Sequence, residues 1–223
     1  MARFTTPMNT LLFSAAFAGM ASYNVDAASE DRWFLRPQVG LSLISDFQAR
    51  SNKVAGFSGP AEIKLDDGFA ASIGIGYRLS PNFAVELAWE YRSNDSEALI
   101  DGGTSLGSGN YASNTFFLNG LYFFSQSGRW QPYLGAGLSW LQEIDLDFEQ
   151  DGVESSYSGD GDIGYQLFAG LNYDLTPDWG LQTELRYGSI TSITLESEAG
   201  DGSSFSGMDY QPFTVQVGLI YRF

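Results

Sequence analysis

The chain closes on Phe213-Thr214-Val215-Gln216-Val217-Gly218-Leu219-Ile220-Tyr221-Arg222-Phe223. Phe213, Val215, Val217, Leu219, Tyr221 and Phe223 share one parity, and Thr214, Gln216, Gly218 and Arg222 share the other. Successive side chains leave a strand on opposite sides, so period-two alternation predicts a β-strand with one apolar and one mostly polar face. Similar patterns predict strands over about 32–45, 68–79, 83–94, 111–125, 130–148, 161–175, 179–195 and 209–223. In the second, Phe69, Ala71, Ile73, Ile75, Tyr77 and Leu79 alternate with Ala70, Ser72, Gly74, Gly76 and Arg78. In the third, Val85, Leu87, Trp89 and Tyr91 alternate with Glu86, Glu90 and Arg92. The fourth is apolar on both parities, which leaves its register open. In the fifth, Leu134, Ala136, Leu138, Trp140, Ile144, Leu146 and Phe148 are expected on one face, with Gly135, Gly137, Ser139, Glu143, Asp145 and Asp147 on the other. The sixth should point Ile163, Tyr165, Leu167, Ala169, Leu171 and Tyr173 outward. In the seventh, Leu181, Leu185 and Tyr187 should face out and Gln182, Glu184 and Arg186 in.

The connections fall into two classes that alternate. Those around Ser80-Pro81-Asn82, Ser125–Arg129 and Thr176-Pro177-Asp178 are tight and carry proline or glycine, as hairpin turns do. Those over 46–67, 95–110, 149–160 and 196–208 are long and polar. Most strands exceed average globular length and suffice to cross a hydrocarbon layer, which takes about 9–11 tilted residues. The expectation is an all-β fold: an eight-stranded antiparallel up-and-down transmembrane β-barrel with four long extracellular loops and short periplasmic turns. Both termini then lie in the periplasm. Trp33, Trp130, Trp179, Tyr77, Phe83, Tyr173, Tyr221 and Phe223 fall near periplasmic strand ends, where amphipathic rings settle at headgroup level.

The amino terminus fits export. Met1-Ala2-Arg3 supplies a positive charge, Leu11–Met20 a short apolar core, and Val25, Ala27 and Ala28 a cleavage site near residues 27–28. Residues 1–28 read as a secretory signal peptide and 29–223 as one barrel domain. No other stretch reaches the length and apolarity of a membrane helix.

Composition removes several chemistries. The chain has no cysteine and no histidine. Thiol catalysis, cysteine- or histidine-ligated zinc and Ser-His-Asp hydrolysis therefore lack their groups. A formal charge of −16 argues against nucleic acid as a partner. We expect no enzyme and no cofactor.

The inward parity carries Arg36, Arg78, Glu86, Glu90, Arg92, Glu184, Arg186 and Arg222. In an eight-stranded barrel the interior is just wide enough for side chains to fill. Opposite charges at similar heights should then pair, because an unpaired buried charge is costly. A hydrogen-bonded plug is the plain expectation, and a narrow pore lined by Gly74, Gly76, Gly135, Gly137 and Gly170 is the alternative. These glycines also have a simpler use, which is to leave room for bulky neighbours. The acidic loop residues Asp147, Glu149, Asp151, Asp160 and Asp162 resemble a calcium-site composition, but their spacing does not match a calcium loop. Phe47, Phe57, Leu99, Ile100, Leu106, Val153, Tyr157, Phe205 and Met208 give the loops apolar weight. They could pack the loops together or form a patch for an extracellular ligand.

Three segments carry a resemblance: Gln131-Pro132-Tyr133 leading into Gly135-Ala136-Gly137-Leu138, the strand Phe168-Ala169-Gly170-Leu171-Asn172-Tyr173, and the terminal Val217–Phe223. Through them the chain resembles the small outer-membrane β-barrel superfamily that includes the N-terminal barrel of outer-membrane protein A and its single-domain relatives. The resemblance implies an integral, monomeric or weakly associating barrel in a Gram-negative outer membrane, in contact with lipid and lipopolysaccharide. It also implies that Tyr221 and Phe223 belong to a terminal signal read by the barrel-assembly machinery. Members serve as structural proteins, surface antigens, adhesins and small-solute pores.

Overall fold

The structure is a computed structural model and describes residues 32–124, 128–150 and 153–223. The predicted signal segment 1–28 and Asp151 lie outside the described residues. The described chain is all-β. Its strands are β1 (Trp33–Ile44), β2 (Phe47–Val54), β3 (Phe57–Leu65), β4 (Gly68–Arg78), β5 (Phe83–Ile100) and β6 (Thr104–Phe123), followed by β7 (Trp130–Gln150), β8 (Val153–Gly159), β9 (Ile163–Asp174), β10 (Trp179–Ser197), β11 (Ser204–Tyr210) and β12 (Pro212–Arg222). They form one 12-stranded sheet in which every pairing is antiparallel.

The strand number exceeds the expected eight for a physical reason. Three of the four polar connections are mostly strand, and the fourth is strand except at its tip. β2 and β3 form a hairpin over most of 46–67. β5 and β6 run on until only Asp101–Gly103 is left to turn. β8 pairs back on β7, and β11 on β10. These segments bury an apolar core of their own, and backbone amides taken out of water there need partners, which ladder pairing supplies. Lys53, Ala55 and Asp101, at two of the tips, take positive φ beside Gly56 and Gly102, as tight hairpin turns require.

Two sets of pairings stack one above the other. In the lower set β1 pairs β4, β4 pairs β5, β5 pairs β6 and β6 pairs β7. β7 then pairs β9, β9 pairs β10, β10 pairs β12 and β12 pairs β1. In the upper set β3 pairs β5, β7 pairs β8, β8 pairs β10, β10 pairs β11, β11 pairs β2 and β2 pairs β3. The long strands β5, β6, β7 and β10 run through both. Every other wall strand breaks between them, at Ser45–Asp46, Asp66–Asp67, Asp160–Asp162 and Gln211.

Polarity inverts at this level. Below it the outward residues are apolar, among them Val39, Leu41, Leu87, Leu118, Leu138 and Leu167, each more than half exposed. The inward residues there include Arg36, Glu86, Glu90, Arg92, Glu184 and Arg186, all buried. Above it the inside is apolar: Phe47, Ile63, Ile100, Tyr111, Ile144, Leu146, Phe148, Ile193, Leu195 and Phe205 belong to one core. β5 shows the change within a single parity, from buried Glu86, Glu90 and Arg92 to buried Ala98 and Ile100.

β7 makes the same change with a bulge, which corrects the expectation for its upper half. Asn114 faces Glu143 while Thr115 faces Leu141, so Gln142 is the extra residue. One extra residue reverses the facing of everything beyond it. Ile144, Leu146 and Phe148 are therefore buried, not on the outward face of Leu134 and Trp140. Asp145 and Asp147 turn to the half-buried outer face, with Glu143 and Glu149 exposed beside them. β10 carries a corresponding irregularity, with Ser192 at φ 62. The β6 register is also settled: Phe117, Leu121 and Phe123 face in, and Phe116, Leu118, Tyr122 and Phe124 face out.

Candidate functional site

The interior of the lower set is the most elaborate chemistry in the molecule, and it is built in layers. Nearest the chain ends, Arg222 pairs with Asp174 at 2.6 Å. Asp174 also accepts from Gln131 Nε2 at 2.7 Å. Arg78 donates to the Pro81 carbonyl at 3.1 Å, and its guanidinium stacks 4.2 Å over the Phe123 ring. The next layer is apolar: Phe34, Ala84, Leu121, Phe123, Tyr133, Phe168 and Ile220.

Above it lies the main ion network, with three arginines and three glutamates. Arg36 reaches Glu86 at 3.1 Å and also contacts Glu184. Its Nε donates to Gln182 at 3.0 Å. Tyr133 donates to Glu184 at 2.8 Å. Arg186 links Glu184 at 2.6 Å to Glu90 at 3.0 Å. Glu90 is held in turn by Arg92 and by Gln216 Nε2 at 2.9 Å. Arg92 extends to Thr214 at 2.8 Å and Ser42 at 3.1 Å. On the far side Asn119 donates to Glu86 at 3.0 Å, and Gln166 donates to Asn119 at 2.6 Å. The charges balance, and each carboxylate faces at least one guanidinium. That arrangement suits taking ions out of water, because Coulomb attraction and hydrogen bonds together offset the desolvation cost.

The local sequence explains how so many long side chains fit. Gly74, Gly76, Gly135, Gly137 and Gly170 all face inward, opposite large groups. A Cβ on Gly74 would lie 2.7 Å from Glu86 Cδ. One on Gly76 or Gly135 would overlap the ring of Phe34 or Phe168, and one on Gly170 would overlap Tyr133. One on Gly137 would meet Asn119 Oδ1. The glycines are thus slots filled by their neighbours.

The structure brings Arg36, Glu86, Glu90, Arg92, Glu184 and Arg186 into one network and places Arg78 and Arg222 in the separate end layer. Sequence reasoning missed Asp174 and Tyr133 as partners. Asp174 lies on the parity of Gln166 and Asn172, so strand parity was a sufficient signal for it. Among the residues with calcium-like composition, Asp147 and Glu149 lie along the outer face of upper β7, and Asp160 and Asp162 sit in the β8–β9 break. Among the described residues no group of three or more acidic side chains converges as a metal site. Asp145 is pushed up to about 6, by burial first and then by Glu143, Glu198 and Asp147. Asp162 is raised by burial and by Asp160.

Most of the apolar loop residues pack together, the first of the two expected roles. Phe47, Ile100, Tyr157, Phe205 and Met208 are buried in the upper core, with Phe57 and Leu106 packed against it. Val153 is 68% exposed. Phe205 meets Tyr157 at 4.9 Å and Phe148 at 6.2 Å between ring centroids.

The outer surface identifies the solvent of the lower sheet. Trp33–Tyr77, Trp130–Tyr173 and Trp179–Tyr221 form ring pairs at 5.0, 4.6 and 4.6 Å at one end. Phe116 and Trp140 stack at 6.0 Å at the other. A sheet that is apolar outside, polar inside and edged by rings is a membrane β-barrel. Residues 12–223 match the family described as outer membrane protein beta-barrel domain, and the chain belongs to that family. It is an integral protein of a Gram-negative outer membrane. It is 22% identical over 221 residues to outer membrane protein W of Vibrio cholerae, covering 96% of this chain and 99% of that one. In fold it is similar to outer membrane protein OprG of Pseudomonas aeruginosa, with TM-score 0.66, 15% identity and coverage of 86% and 96% of the two chains. It is also similar to outer membrane protein AlkL in lipid bilayers, with TM-score 0.53, 18% identity and coverage of 92% and 97%.

Proposed function

We propose that the protein is a structural, surface-displaying barrel whose interior is sealed and whose contacts are made by the extension above the membrane. In this reading the lower pairings form a closed ring of eight strands through the bilayer. The ten steps from Trp130 to Trp140, at a rise of about 3.3 Å and a tilt of about 40°, give a height of about 25 Å, the usual apolar band. The strand breaks then lie just above the outer leaflet, both termini are periplasmic, and residues 1–28 are the export signal.

The observation that carries the reading is the filling of the inward glycine slots by Phe34, Tyr133, Phe168, Glu86 and Asn119. A pore would need that space. The acidic outer face of the extension, with Glu143, Asp145, Asp147 and Glu149 along β7, is what the protein presents to its surroundings. Near lipopolysaccharide phosphates this face favours bridging by divalent ions over direct contact.

Whole-cell labelling tests the display. An epitope inserted at Asp101–Gly102 should be stained on intact cells. One inserted at Pro81–Asn82 should be stained only after permeabilisation. The reverse pattern would overturn the orientation and with it the proposed role.

A further inference from the structure

Between the ion network and the upper apolar core lies a small cavity, lined among others by Glu90, Arg92, Ser139, Gln166, Arg186 and Tyr210. It leaves about 10 Å³ for the centre of a water-sized sphere, which is about the room one water needs. Three of its lining residues, all buried, carry a polar atom without a hydrogen-bond partner: Arg92 Nε, Ser139 Oγ and Gln166 Oε1. These are one guanidinium donor, one hydroxyl and one amide acceptor. A water can accept from the first, donate to the last and exchange a bond with the hydroxyl. Leaving each of the three unsatisfied would cost about 1–3 kcal/mol.

We propose that this cavity is a binding site for a single internal water held by Arg92 Nε, Ser139 Oγ and Gln166 Oε1. The water closes the hydrogen-bonded chain across the barrel. Without it, that chain of hydrogen bonds and ion pairs runs from Gln166 through Asn119, Glu86, Arg36, Glu184, Arg186 and Glu90 to Arg92 and leaves Gln166 Oε1 and Arg92 Nε without partners. With it, Gln166 and Arg92 are joined directly. The site also marks the floor of the apolar core, because Tyr210 and Ile190 complete the lining from above.

The test is water-to-protein NOE spectroscopy on perdeuterated, amide-protonated protein refolded in detergent micelles. The Gln166 side-chain amide and the Ser139 backbone amide should show cross-peaks from a long-lived water. The Gln182 side-chain amide should show none, because Gln182 is buried and already partnered by Arg36 and Tyr133. In Ser139→Val the cross-peak at Gln166 should be lost. Gln166→Leu should remove the one at Ser139. A wild-type spectrum without these cross-peaks would mean a dry cavity and overturn the proposal, as would their persistence in both variants. If neither variant folds, the wild-type spectrum decides alone.

Discussion

Removing Arg36 should expose how unevenly the ion network distributes its support. Arg36 faces two carboxylates, but they do not depend on it equally. In Arg36→Met, Glu184 keeps Arg186 at 2.6 Å and Tyr133 at 2.8 Å. Glu86 keeps the Asn119 amide at 3.0 Å and the more distant charge of Arg186, with which it makes no direct ion pair among the described residues. The balanced set of three arginines and three glutamates becomes one charge too negative, and the excess sits on Glu86, 3% exposed. Leaving one partner of a buried pair uncompensated typically costs about 3–5 kcal/mol, and we expect Arg36→Met to fall there. Adding Glu86→Gln restores neutrality and keeps a group that Asn119 can reach, so the double variant should recover about 2 kcal/mol, roughly thirty-fold in the folding equilibrium. Reversible urea unfolding in lipid vesicles measures both, read by tryptophan fluorescence and by heat-modifiable migration. The reasoning fails if Arg36→Met costs under about 1 kcal/mol, or if Glu86→Gln adds to the loss instead of reducing it.

Other expected outcomes follow the same logic. Gly135→Val should cost more than about 1–3 kcal/mol, the usual range for overpacking, because its Cβ would overlap the Phe168 ring; the same urea titration measures it. Phe205→Ala should cost about 3–5 kcal/mol, with the loss confined to the extension. Hydrogen exchange should then quicken in β8 and β11 while amides beside Arg36 stay protected. Asp145 carries a raised folded pKa of about 6, so its contribution favours folding at low pH and is lost as pH rises from about 4 through 6. Asp145→Asn should therefore stabilise the protein at pH 7.5 and make little difference at pH 4, in paired urea titrations.

The wall of the barrel was legible because the membrane imposes a simple rule. β4 and β12 alternate cleanly, and their facing follows directly from parity. The upper half of β7 was not legible in the same way. Leu141-Gln142-Glu143 carries no glycine or proline to announce the bulge, and Ile144, Leu146 and Phe148 kept the parity of lipid-facing residues. Only the partner strand reveals the shift, since Gln142 is extra relative to β6. The polar connections misled for a related reason. Outside the membrane an ordinary strand is polar outward and apolar inward, so stretches such as Gln48-Ala49-Arg50-Ser51-Asn52 read as loops beside the apolar wall. The charged interior residues were readable as a set, but not their division into layers. Phe34, Leu121 and Phe168 separate Arg78 and Arg222 from the rest, and they share the inward parity of the charges.

The sealed interior is tested most directly by single-channel recording of the refolded protein in planar bilayers, with Glu86→Ala, Glu90→Ala recorded alongside and insertion verified by protease protection. Inserted wild-type protein should give no stable conductance steps. Steps of fixed size that the double variant enlarges would show an open path past the arginine–glutamate network, and the plug would have to be given up for a pore.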